Sequence, residues 1–385
     1  MIPYGRQDIS CEDIEAVVRV LRSDYLTQGP EIEGFEREIA AFCSAPHAIA
    51  VNSATSALHM ACASLGVGPG DVVWTSPNSF TASANCARYC GANVDFVDIG
   101  VDLNMDPAAL AARLAGAQMA GRLPKVVIPV DFAGRSCRMR EIRKLADEYG
   151  FAIVEDASHA IGGMLEGKPV GGHGLADITV FSFHPVKIIT SGEGGIAVTH
   201  NAELARRMHI FRTHGITRDP AEMTHPPDGP WYYQQIGLGF NYRITDLQAA
   251  LGRSQLRRIA SFVDRRHEVR HAYDTALAAS GLGLPPPDVE CRSALHLYPV
   301  RVPVSLAGGR DAVFARLRAA GVGVNVHYIP IHTQPYYQAL GFRWGDFPRA
   351  EAYYREAISL PMYAAITQEQ LDTVIETVLA AVAQQ

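Results

Sequence analysis

The chain has 385 residues, 48% of them hydrophobic and 19% charged, and a formal net charge of −6. This length predicts two domains, each large enough to bury a core, and the composition is that of an ordinary globular enzyme. The negative charge excludes a broadly basic surface that coats nucleic acid, although an anionic small substrate would need only a local cluster of donors.

The N-terminal segment and the cysteines predict a reducing, cytoplasmic location. MIPYGRQDIS has neither the basic nor the apolar region of a signal peptide, and no apolar run approaches the ~20 residues of a membrane-spanning helix. The seven cysteines are odd in number and scattered, so we expect no disulfide framework. Cys86 and Cys90 lie four residues apart, but without a second Cys or His pair at metal-like spacing we expect packed thiols and no metal site.

The first two-thirds of the chain alternate short apolar strands with amphipathic helices. We predict strands over residues 47–51, 71–76, 93–99, 125–132, 151–156, 177–183 and 194–200, and helices over 56–66, 107–116 and 139–150. Such alternation is typical of βαβ units and predicts an α/β fold with a mostly parallel sheet. Ligands of such folds bind beyond the carboxyl ends of the strands.

The last third of the chain predicts a smaller C-terminal α+β domain. After a loop rich in Pro and Gly (219–233), one long helical pattern covers 245–277, with Asp246 in its first turn to complement the helix dipole. Strands are predicted over 296–302 and 323–329, and a terminal helix from about Gln368. We therefore predict a large domain with an N-terminal arm over residues 1–245 and a small domain over residues 246–385.

Two candidate catalytic residues, Asp156 and Lys187, stand at or just after the ends of predicted strands. A carboxylate that keeps a pyridine nitrogen protonated and an amine that binds an aldehyde are two requirements of a pyridoxal 5′-phosphate (PLP) enzyme. The same amine would later move the proton between the substrate carbon and the cofactor. Taken singly, a lysine is more often solvated, and Asp156 would simply end its strand and cap the next turn.

Neighbouring residues fit the same cofactor. Ser182, five residues before Lys187, would bond the phosphate. The glycines of SGEGG (191–195) would let the backbone pass close by, although they also suit a plain hairpin turn. His159 would bond the ring hydroxyl or Asp156, or else be a packed structural histidine.

Two earlier elements complete the pattern. The segment Asn-Ser-Ala-Thr-Ser (52–56) follows a predicted strand and opens a helix, whose free N–H groups and hydroxyls would bind a phosphate or serve only as an N-cap. Phe80 follows the next strand and would stack on a pyridine ring or lie in the core. Any one of these elements can occur by chance. The phosphate helix, aromatic ring, acid and lysine together in this order are a much rarer coincidence.

The whole pattern resembles the DegT/DnrJ/EryC1/StrS family of PLP-dependent sugar aminotransferases, nearly end to end. The resemblance is carried by YLTQGPEIEGFE, VNSATSAL, EDASHAIG, FSFHPVKIITSGEGG, GPWYYQQIGLGFNYRITDLQAALG and VHYIPIHTQPYY. It implies the aspartate aminotransferase-like (type I PLP) fold for the large domain. LTQG, NSATSAL and VHY-x-PI are most similar to the subgroup of pseudaminic acid biosynthesis, which aminates C4 of a UDP-linked 2-acetamido-2,6-dideoxy-4-ketohexose.

The resemblance also implies roles for individual residues. Lys187 would form the Schiff base and Asp156 would pair with the pyridinium, as the catalytic residues. The cofactor would contact Ala54, Thr55, Phe80, Asp156, His159, Ser182, Lys187 and Asn241, the last by reaching across a homodimer interface to the phosphate site of the other subunit. The substrate would contact Tyr4, Asp24, Tyr25, Leu26, Thr27, Ala54, Ser182, Asn241, Val326, His327, Tyr328 and Ile329.

The implied reaction takes the amino group of L-glutamate, which leaves as 2-oxoglutarate, to a nucleotide-linked keto sugar. Pyridoxamine 5′-phosphate is the implied intermediate, with ping-pong kinetics and no nucleic acid or membrane partner. A dTDP- or GDP-linked keto sugar, aminated at C3 or C4, remains an alternative substrate. A sugar dehydratase of the same scaffold carries histidine in place of Lys187, and a non-catalytic PLP-binding regulatory protein would not need intact Lys187, Asp156 and Ser182, so both are disfavoured.

Overall fold

The computed structural model describes residues 1–383 of the chain. Its strands are β1 (His47–Val51), β2 (Val72–Thr75), β3 (Asn93–Phe96), β4 (Val126–Ile128), β5 (Ala152–Asp156), β6 (Met164–Leu165), β7 (Lys168–Pro169), β8 (Ile178–Ser182), β9 (Gly195–Thr199), β10 (Ile216–Thr217), β11 (Gln234–Gln235), β12 (Cys291–Arg292), β13 (Tyr298–Arg301) and β14 (Ala357–Leu360). Its α-helices are α1 (Cys11–Leu21), α2 (Pro30–Phe42), α3 (Ala54–Ser64), α4 (Ala82–Tyr89), α5 (Pro107–Met119), α6 (Met139–Tyr149), α7 (Ala202–Phe211), α8 (Asp246–Leu256), α9 (Ile259–Leu277), α10 (Gly309–Ala319), α11 (Pro335–Gln338), α12 (Pro348–Glu356) and α13 (Gln368–Ala383). Short 3₁₀ turns cover Phe132–Gly134, Pro220–Glu222 and Ile331–Thr333.

Seven strands form the central sheet, in the order β1-β9-β8-β5-β4-β2-β3. Within this sheet β8, β5, β4, β2 and β3 run parallel to one another, whereas β9 pairs antiparallel with both β8 and β1. The prediction of an α/β fold with a mostly parallel sheet is therefore confirmed. The strand predicted over 125–132 ends at Ile128 because Pro129, which follows it, has no N–H group for the ladder.

Both faces of the sheet are buried. Val154 of β5 lies in an apolar cluster with Leu58 of α3, whereas the adjacent Ile153 lies in another cluster with Ile142 of α6. Successive side chains of a strand point to opposite faces, so a strand covered on both sides reads as one continuous apolar run. The strands that lead to the site therefore rest in a packed core.

One edge of the sheet collects the carboxyl ends of β1, β2, β5 and β8. The strands end there at Val51, Thr75, Asp156 and Ser182, and Gly195 begins the antiparallel β9 opposite Ser182. This edge is where open α/β sheets bind their ligands.

The single helix predicted over 245–277 is wrong, because the chain forms two helices there. Ala250 of α8 lies in an apolar cluster with α1, whereas Ile259 at the start of α9 packs against the central sheet. The chain breaks between them at Arg258, whose guanidinium donates to Asp13 Oδ2 at 2.6 Å. Two different packing partners explain the break, which a continuous helical pattern does not reveal.

Asp246 caps a helix other than its own. Its buried carboxylate accepts the N–H groups of Gly29 at 2.8 Å and Glu31 at 2.9 Å, at the start of α2. The start of α8 is capped instead by a reciprocal pair, Thr245 and Gln248. The first-turn acid predicted to complement the dipole of α8 therefore joins α8 to α2.

A second apolar core fills the C-terminal part of the chain. It extends from Val269 of α9 to Val382 of α13 and includes both strands of the β13–β14 pair. The beginning of α9, with Ile259 and Val263, packs in the core of the central sheet instead. Helix α9 thus contributes to two cores, and the domain boundary between residues 245 and 246 stays a prediction.

Residues 323–329 do not form the predicted strand, and that prediction is wrong. One bridge, from Asn325 to Ser359, is all the strand pairing that the segment makes. The His327 carbonyl accepts the hydroxyl of Tyr353 at 3.0 Å, and His327 Nδ1 lies 2.8 Å from Ser359 Oγ. Side chains therefore supply the hydrogen bonds that a neighbouring strand would otherwise make.

Two further features concern membranes and metals. Across residues 1–383, no helix is both long and apolar enough to cross a bilayer. The same part of the chain brings together no group of three His, Cys, Asp or Glu side chains that would hold a metal ion. The Cys86 thiol instead packs 3.7 Å from the thiol of Cys62 in the core.

Candidate active site

A cavity of about 530 Å³ lies beyond the carboxyl ends of the strands. The predicted site residues that line it are Tyr4, Ala54, Thr55, Phe80, Asp156, His159, Ser182, Lys187, Val326, His327 and Tyr328. Residues of the N-terminal arm, the central sheet and the C-terminal third of the chain therefore meet around one space.

The start of α3 forms one wall of the cavity. Ser53 is the N-cap and accepts the N–H of Ser56 at 3.1 Å, while Ala54 and Thr55 occupy the first turn, where no helix carbonyl can accept their N–H groups. Unpaired N–H groups and the positive end of the helix dipole favour an anion at this position. A Cβ atom on Gly195 would lie 2.4 Å from the Ser53 carbonyl carbon, so only glycine lets β9 pass this close to the helix start.

Asp156 is held by two hydroxyl groups at the end of β5. Its Oδ2 accepts the Ser83 hydroxyl at 2.6 Å, and its Oδ1 accepts the Ser158 hydroxyl at 2.6 Å and the Ser158 N–H at 3.2 Å. The Ser83 hydroxyl in turn lies 2.7 Å from that of Ser79. Charge-assisted hydrogen bonds from both sides fix the direction of this carboxylate, which is almost fully buried.

Lys187 lies in the turn between β8 and β9 and lines the cavity. Burial of its amine lowers its pKa from the ordinary value to about 8, although the negative charge of Asp156 acts in the opposite direction. A lysine with this pKa carries a usable fraction of neutral amine near neutral pH, which is the form that attacks an aldehyde. The position of Lys187 therefore suits the role of nucleophile that the sequence predicts for it.

Three histidines of the cavity are kept neutral. Burial together with the Lys187 charge lowers the pKa of His159 well below its ordinary value and lowers that of His327 to about 3. Burial also lowers the pKa of His296 well below its ordinary value, and its ring lies 4.3 Å from that of His159. These rings can therefore accept or donate hydrogen bonds without adding positive charge beside Lys187.

His159 does not bond Asp156, which was one of the two roles expected of it. Its Nε2 lies 2.9 Å from the hydroxyl of Tyr328 instead. Phe80 lies at the mouth of the cavity with 61% of its surface exposed, and its ring centroid is 6.5 Å from that of Tyr328. An exposed ring in this position leaves one face open to a flat ligand.

Some predicted residues lie outside the cavity. The segment Asp24–Thr27 runs beside the start of α8, where the Leu26 carbonyl accepts the N–H of Asp246 at 3.0 Å. The Asn241 carbonyl accepts from the side chain of Asn52 at 3.4 Å, and Ile329, which follows Tyr328, is about half exposed. In one chain the structure does not bring these residues together with Lys187, so their predicted contacts stay predictions.

Sequence reasoning missed several residues of the site, and three of them lie against predicted ones. Ser158 follows Asp156 by two residues, and a serine two positions after an aspartate is a recognisable local motif. Ser83 reaches Asp156 from 73 residues away, and His296 comes from beyond α9, so only the fold brings these two to the site.

The residues present fit PLP. The first turn of α3 and Ser182 suit its phosphate, the fixed carboxylate of Asp156 suits its ring nitrogen, and the Lys187 amine suits its aldehyde. All of these groups line one cavity, which no single motif of the sequence could establish.

Residues 7–379 match the profile of the DegT/DnrJ/EryC1/StrS aminotransferase family. The spore coat polysaccharide biosynthesis protein SpsC of Bacillus subtilis is 38% identical over 382 residues, covering 98% of this chain and 96% of the relative. The UDP-4-amino-4,6-dideoxy-N-acetyl-beta-L-altrosamine transaminase of Campylobacter jejuni strain 81-176 is 35% identical over 384 residues, covering 99% of this chain and 97% of the relative.

Solved structures agree with these relatives. PseC of Helicobacter pylori, an aminotransferase involved in the biosynthesis of pseudoaminic acid, superposes with a TM-score of 0.91 at 31% identity and 99% coverage of both chains. The PLP-form of Spr1654, a sugar aminotransferase of Streptococcus pneumoniae, superposes with a TM-score of 0.89 at 31% identity, covering 99% of this chain and 98% of the other.

Proposed function

Because the chain belongs to the DegT/DnrJ/EryC1/StrS aminotransferase family, we propose that it transfers the amino group of L-glutamate to a nucleotide-linked keto sugar, with PLP as its cofactor. The observation that carries the proposal is the meeting of Lys187 and Asp156 in one cavity beside the anion-binding start of α3. The PLP-form structure of a sugar aminotransferase with the same fold supports the cofactor.

We further propose that the acceptor is C4 of a UDP-linked 2-acetamido-2,6-dideoxy-4-ketohexose. The Campylobacter UDP-sugar transaminase and the Helicobacter enzyme of pseudoaminic acid biosynthesis, which match this chain along almost its full length, support this substrate. A relative named only for spore coat polysaccharide biosynthesis is 38% identical, and its name specifies no sugar carrier. Another nucleotide-linked keto sugar, with a dTDP or GDP carrier or a C3 ketone, therefore stays the second candidate.

PLP, when bound, supplies an aldehyde and an electron-withdrawing ring, and the protein supplies position and protons. The first turn of α3 and Ser182 would bind the phosphate, and Phe80 would cover one face of the ring. Asp156, fixed by Ser83 and Ser158, would keep the ring nitrogen protonated.

Lys187 has two tasks in the proposed reaction. With PLP bound, its amine would hold the cofactor at the aldehyde carbon, and the same amine, when free, would move a proton at the reacting carbon of the substrate. Because Lys187 lies on one wall of the cavity, it delivers that proton to one face of the substrate, which fixes the configuration of the new amine.

We also propose that the active form is a homodimer. The segment from Trp231 to Phe240 exposes large apolar side chains, among them Trp231 at 73% and Leu238 at 81% of their surface, and Asn241 follows it directly. Asn241 does not line the cavity of its own chain, and an exposed apolar surface beside it suits contact with a second copy.

We further propose a reducing cytoplasmic location, which the seven cysteines, unpaired within the described part of the chain, support.

The class of activity is tested by reduction with borohydride. We expect the purified protein to be yellow, and reduction to bleach it and to leave the cofactor on the peptide that contains Lys187. A colourless protein that takes up no added PLP would contradict the proposal. Colour without any amino transfer would favour a regulatory PLP-binding protein.

The substrate is tested by a panel of UDP-, dTDP- and GDP-linked 4-keto and 3-keto sugars, each supplied with L-glutamate. We expect the UDP-linked 2-acetamido-2,6-dideoxy-4-ketohexose to give the highest kcat/KM and 2-oxoglutarate in equal amount to the amino sugar. Preference for another carrier would agree with the family but contradict the proposed acceptor sugar.

A further inference from the structure

Lys187 lines a second, much smaller cavity in addition to the candidate active site. The volume of this cavity is about 10 Å³, which is room for one water molecule or one small ion. The N-terminal arm lines it with Arg6 and Asp8, and α9 lines it with Arg266. Three basic residues and one acidic residue therefore surround a space that fits a single ion.

The guanidinium of Arg266 is buried and only partly paired. The residue is 2% exposed, and its Nη1 donates to the carbonyl oxygens of Met362 at 2.9 Å, Leu295 at 3.0 Å and His296 at 3.3 Å. Within residues 1–383 the Nε atom, which is shielded from solvent, and the Nη2 atom make no hydrogen bond. One edge of the guanidinium is therefore left without a partner.

The charge of Arg266 also lacks a counter-ion. Burial lowers the pKa of Arg266 to about 10, so the guanidinium stays charged near neutral pH. Buried charges in proteins are normally paired, and no carboxylate in the described part of the chain bonds this one. Because a guanidinium is planar, the N–H bond of Nε and the nearer one of Nη2 point the same way and form a fork that suits an anion.

Arg6 brings a second unpaired arginine to the same cavity. The N-terminal arm is anchored on both sides of it, because the Tyr4 carbonyl accepts the N–H of Met362 at 2.9 Å and the Asp8 carbonyl accepts from the side chain of Gln255 at 2.7 Å. Between these anchors, the Arg6 side chain makes no hydrogen bond or ion pair within residues 1–383. The arm therefore holds an unused positive charge beside the cavity.

The other charged residues of the cavity do not cancel these two arginines. The Asp8 carboxylate already accepts from Arg258 at 3.1 Å. The pKa of Lys187 is about 8, so its amine is mostly protonated at neutral pH. An excess of positive charge around a small space favours an anion over a cation or a neutral water molecule, and the volume excludes an ion as large as phosphate or sulfate.

We propose that this cavity binds one small monovalent anion, with chloride as the simplest case, between the fork of Arg266 and the side chain of Arg6. The anion supplies the missing counter-charge of Arg266 and joins the N-terminal arm to α9. Tyr4, two residues before Arg6, lines the candidate active site, so the anion also steadies one wall of that site. The site is independent of the proposed function, since PLP takes no part in it.

The first test is thermal unfolding in chloride, with gluconate, an anion too large for the cavity, keeping the ionic strength constant. A ligand that binds only the folded protein raises its Tm, and we expect a saturable rise of about 1–3 °C at ten times the Kd of chloride. Arg266→Met should abolish the rise. Arg265→Met is the matched control on α9, because Arg265 pairs with Glu268 and does not line the cavity, and it should keep the rise.

A second variant keeps the proposal testable should Arg266→Met not fold. Arg6 is exposed on the arm, so Arg6→Met should leave the core intact. We expect it to weaken chloride binding about 3- to 10-fold, less than the loss of a fully buried charged hydrogen bond. A chloride effect of unchanged size and midpoint in Arg266→Met or Arg6→Met would place the ion elsewhere and overturn the proposal.

Bromide identifies the site directly, because its anomalous scattering marks its position in a crystal of the full chain. We expect one peak within hydrogen-bond distance of Nε and Nη2 of Arg266. An ordered water at that position, or no peak, would overturn the proposal. A peak without any dependence of Tm on chloride in solution would mean an adventitious ion only, and would overturn it equally.

Hydrogen exchange tests the link to the N-terminal arm. Chloride should slow the exchange of the amide groups of residues 4–8 in the wild type and should not do so in Arg6→Met. Exchange that does not depend on chloride would refute the link. A protein that takes up no PLP and still shows all the chloride effects would refute the proposed function and leave the anion site standing.

Discussion

At the scale of single residues, the charge of Lys187 sets the conditions under which the protein can bind its cofactor. Burial removes water from the amine, and Asp156 offsets this cost only in part, so the amine loses its proton at a lower pH than an exposed lysine does. The nucleophile is therefore prepared by its position in the fold rather than by a neighbouring base.

This charge state predicts how cofactor capture depends on pH. Because the pKa of Lys187 in the folded protein is about 8, we expect the rate of PLP capture by the cofactor-free protein to rise with pH up to and through this value and to level off above it. Stopped-flow absorbance measures the rate. A profile that rises only near the ordinary lysine pKa would show that the amine is solvated.

Loss of the lysine should separate binding from turnover. Lys187→Ala is expected to lower kcat by about 10²–10⁴-fold or more, the usual contribution of a positioned proton carrier, while PLP still binds through its phosphate and ring contacts. Steady-state kinetics and equilibrium dialysis check the two halves of the prediction. Retained amino transfer would remove Lys187 from its role.

The serine contacts of Asp156 make a second prediction at this scale. Ser83→Ala removes the hydroxyl that bonds Asp156 Oδ2, and we expect PLP to bind about 10- to 100-fold more weakly, since hydrogen bonds to charged groups contribute about 1.5–3 kcal/mol. Ser79→Ala is the matched control, because Ser79 touches Ser83 and not Asp156. Equal losses in the two variants would show that the effect is general packing.

At the scale of elements, the strands of the central sheet were predictable and their partners were not. Apolar runs that end in Asp156 or lead to Lys187 identify strands, because a strand covered on both faces is mostly apolar. The break between α8 and α9 and the irregular segment 323–329 escaped prediction. Each depends on contacts with distant residues, such as Asp13 or Tyr353, which leave no periodic trace in the sequence.

The site shows the same division. Lys187, Asp156 and the start of α3 carry recognisable local patterns, and the structure places them around one cavity. The bond from Ser83 to Asp156 and the bond from His159 to Tyr328 join residues 73 and 169 positions apart. Tertiary contacts of this kind are set by the fold, so a single sequence cannot supply them.

The cap that Asp246 provides for α2 gives a prediction about stability. Asp246→Ala leaves the N–H groups of Gly29 and Glu31 without their acceptor, and we expect the free energy of unfolding to fall by about 1–3 kcal/mol. The control is Asp264→Ala. Asp264 lies on α9 and forms an exposed ion pair with Arg292, and its loss should change the free energy of unfolding by about 0.5 kcal/mol or less. Chemical denaturation at one protein concentration compares the two, and equal effects would contradict the capping role.

At the scale of the whole molecule, the proposed homodimer can be tested by mixing two inactive variants. If Asn241 completes the site of the other subunit, a mixture of Lys187→Ala and Asn241→Ala should form mixed dimers with one intact site, and recover about a quarter of wild-type activity at equal amounts. The variants alone and a mixture of Lys187→Ala with wild type are the controls. No recovery, with mixed dimers confirmed by mass, would place Asn241 outside the shared site.

Helix α9 has a consequence for how the chain can be divided. Its first turns fill the core under the sheet and its last turns fill the C-terminal core, so a cut near residue 245 removes Ile259 and Val263 from the larger core and exposes apolar surface on both fragments. Neither piece is then expected to be obtained as a folded protein on its own. Truncated or fused versions of the protein, for crystallography or labelling, therefore need to keep this helix and everything it touches in one continuous chain.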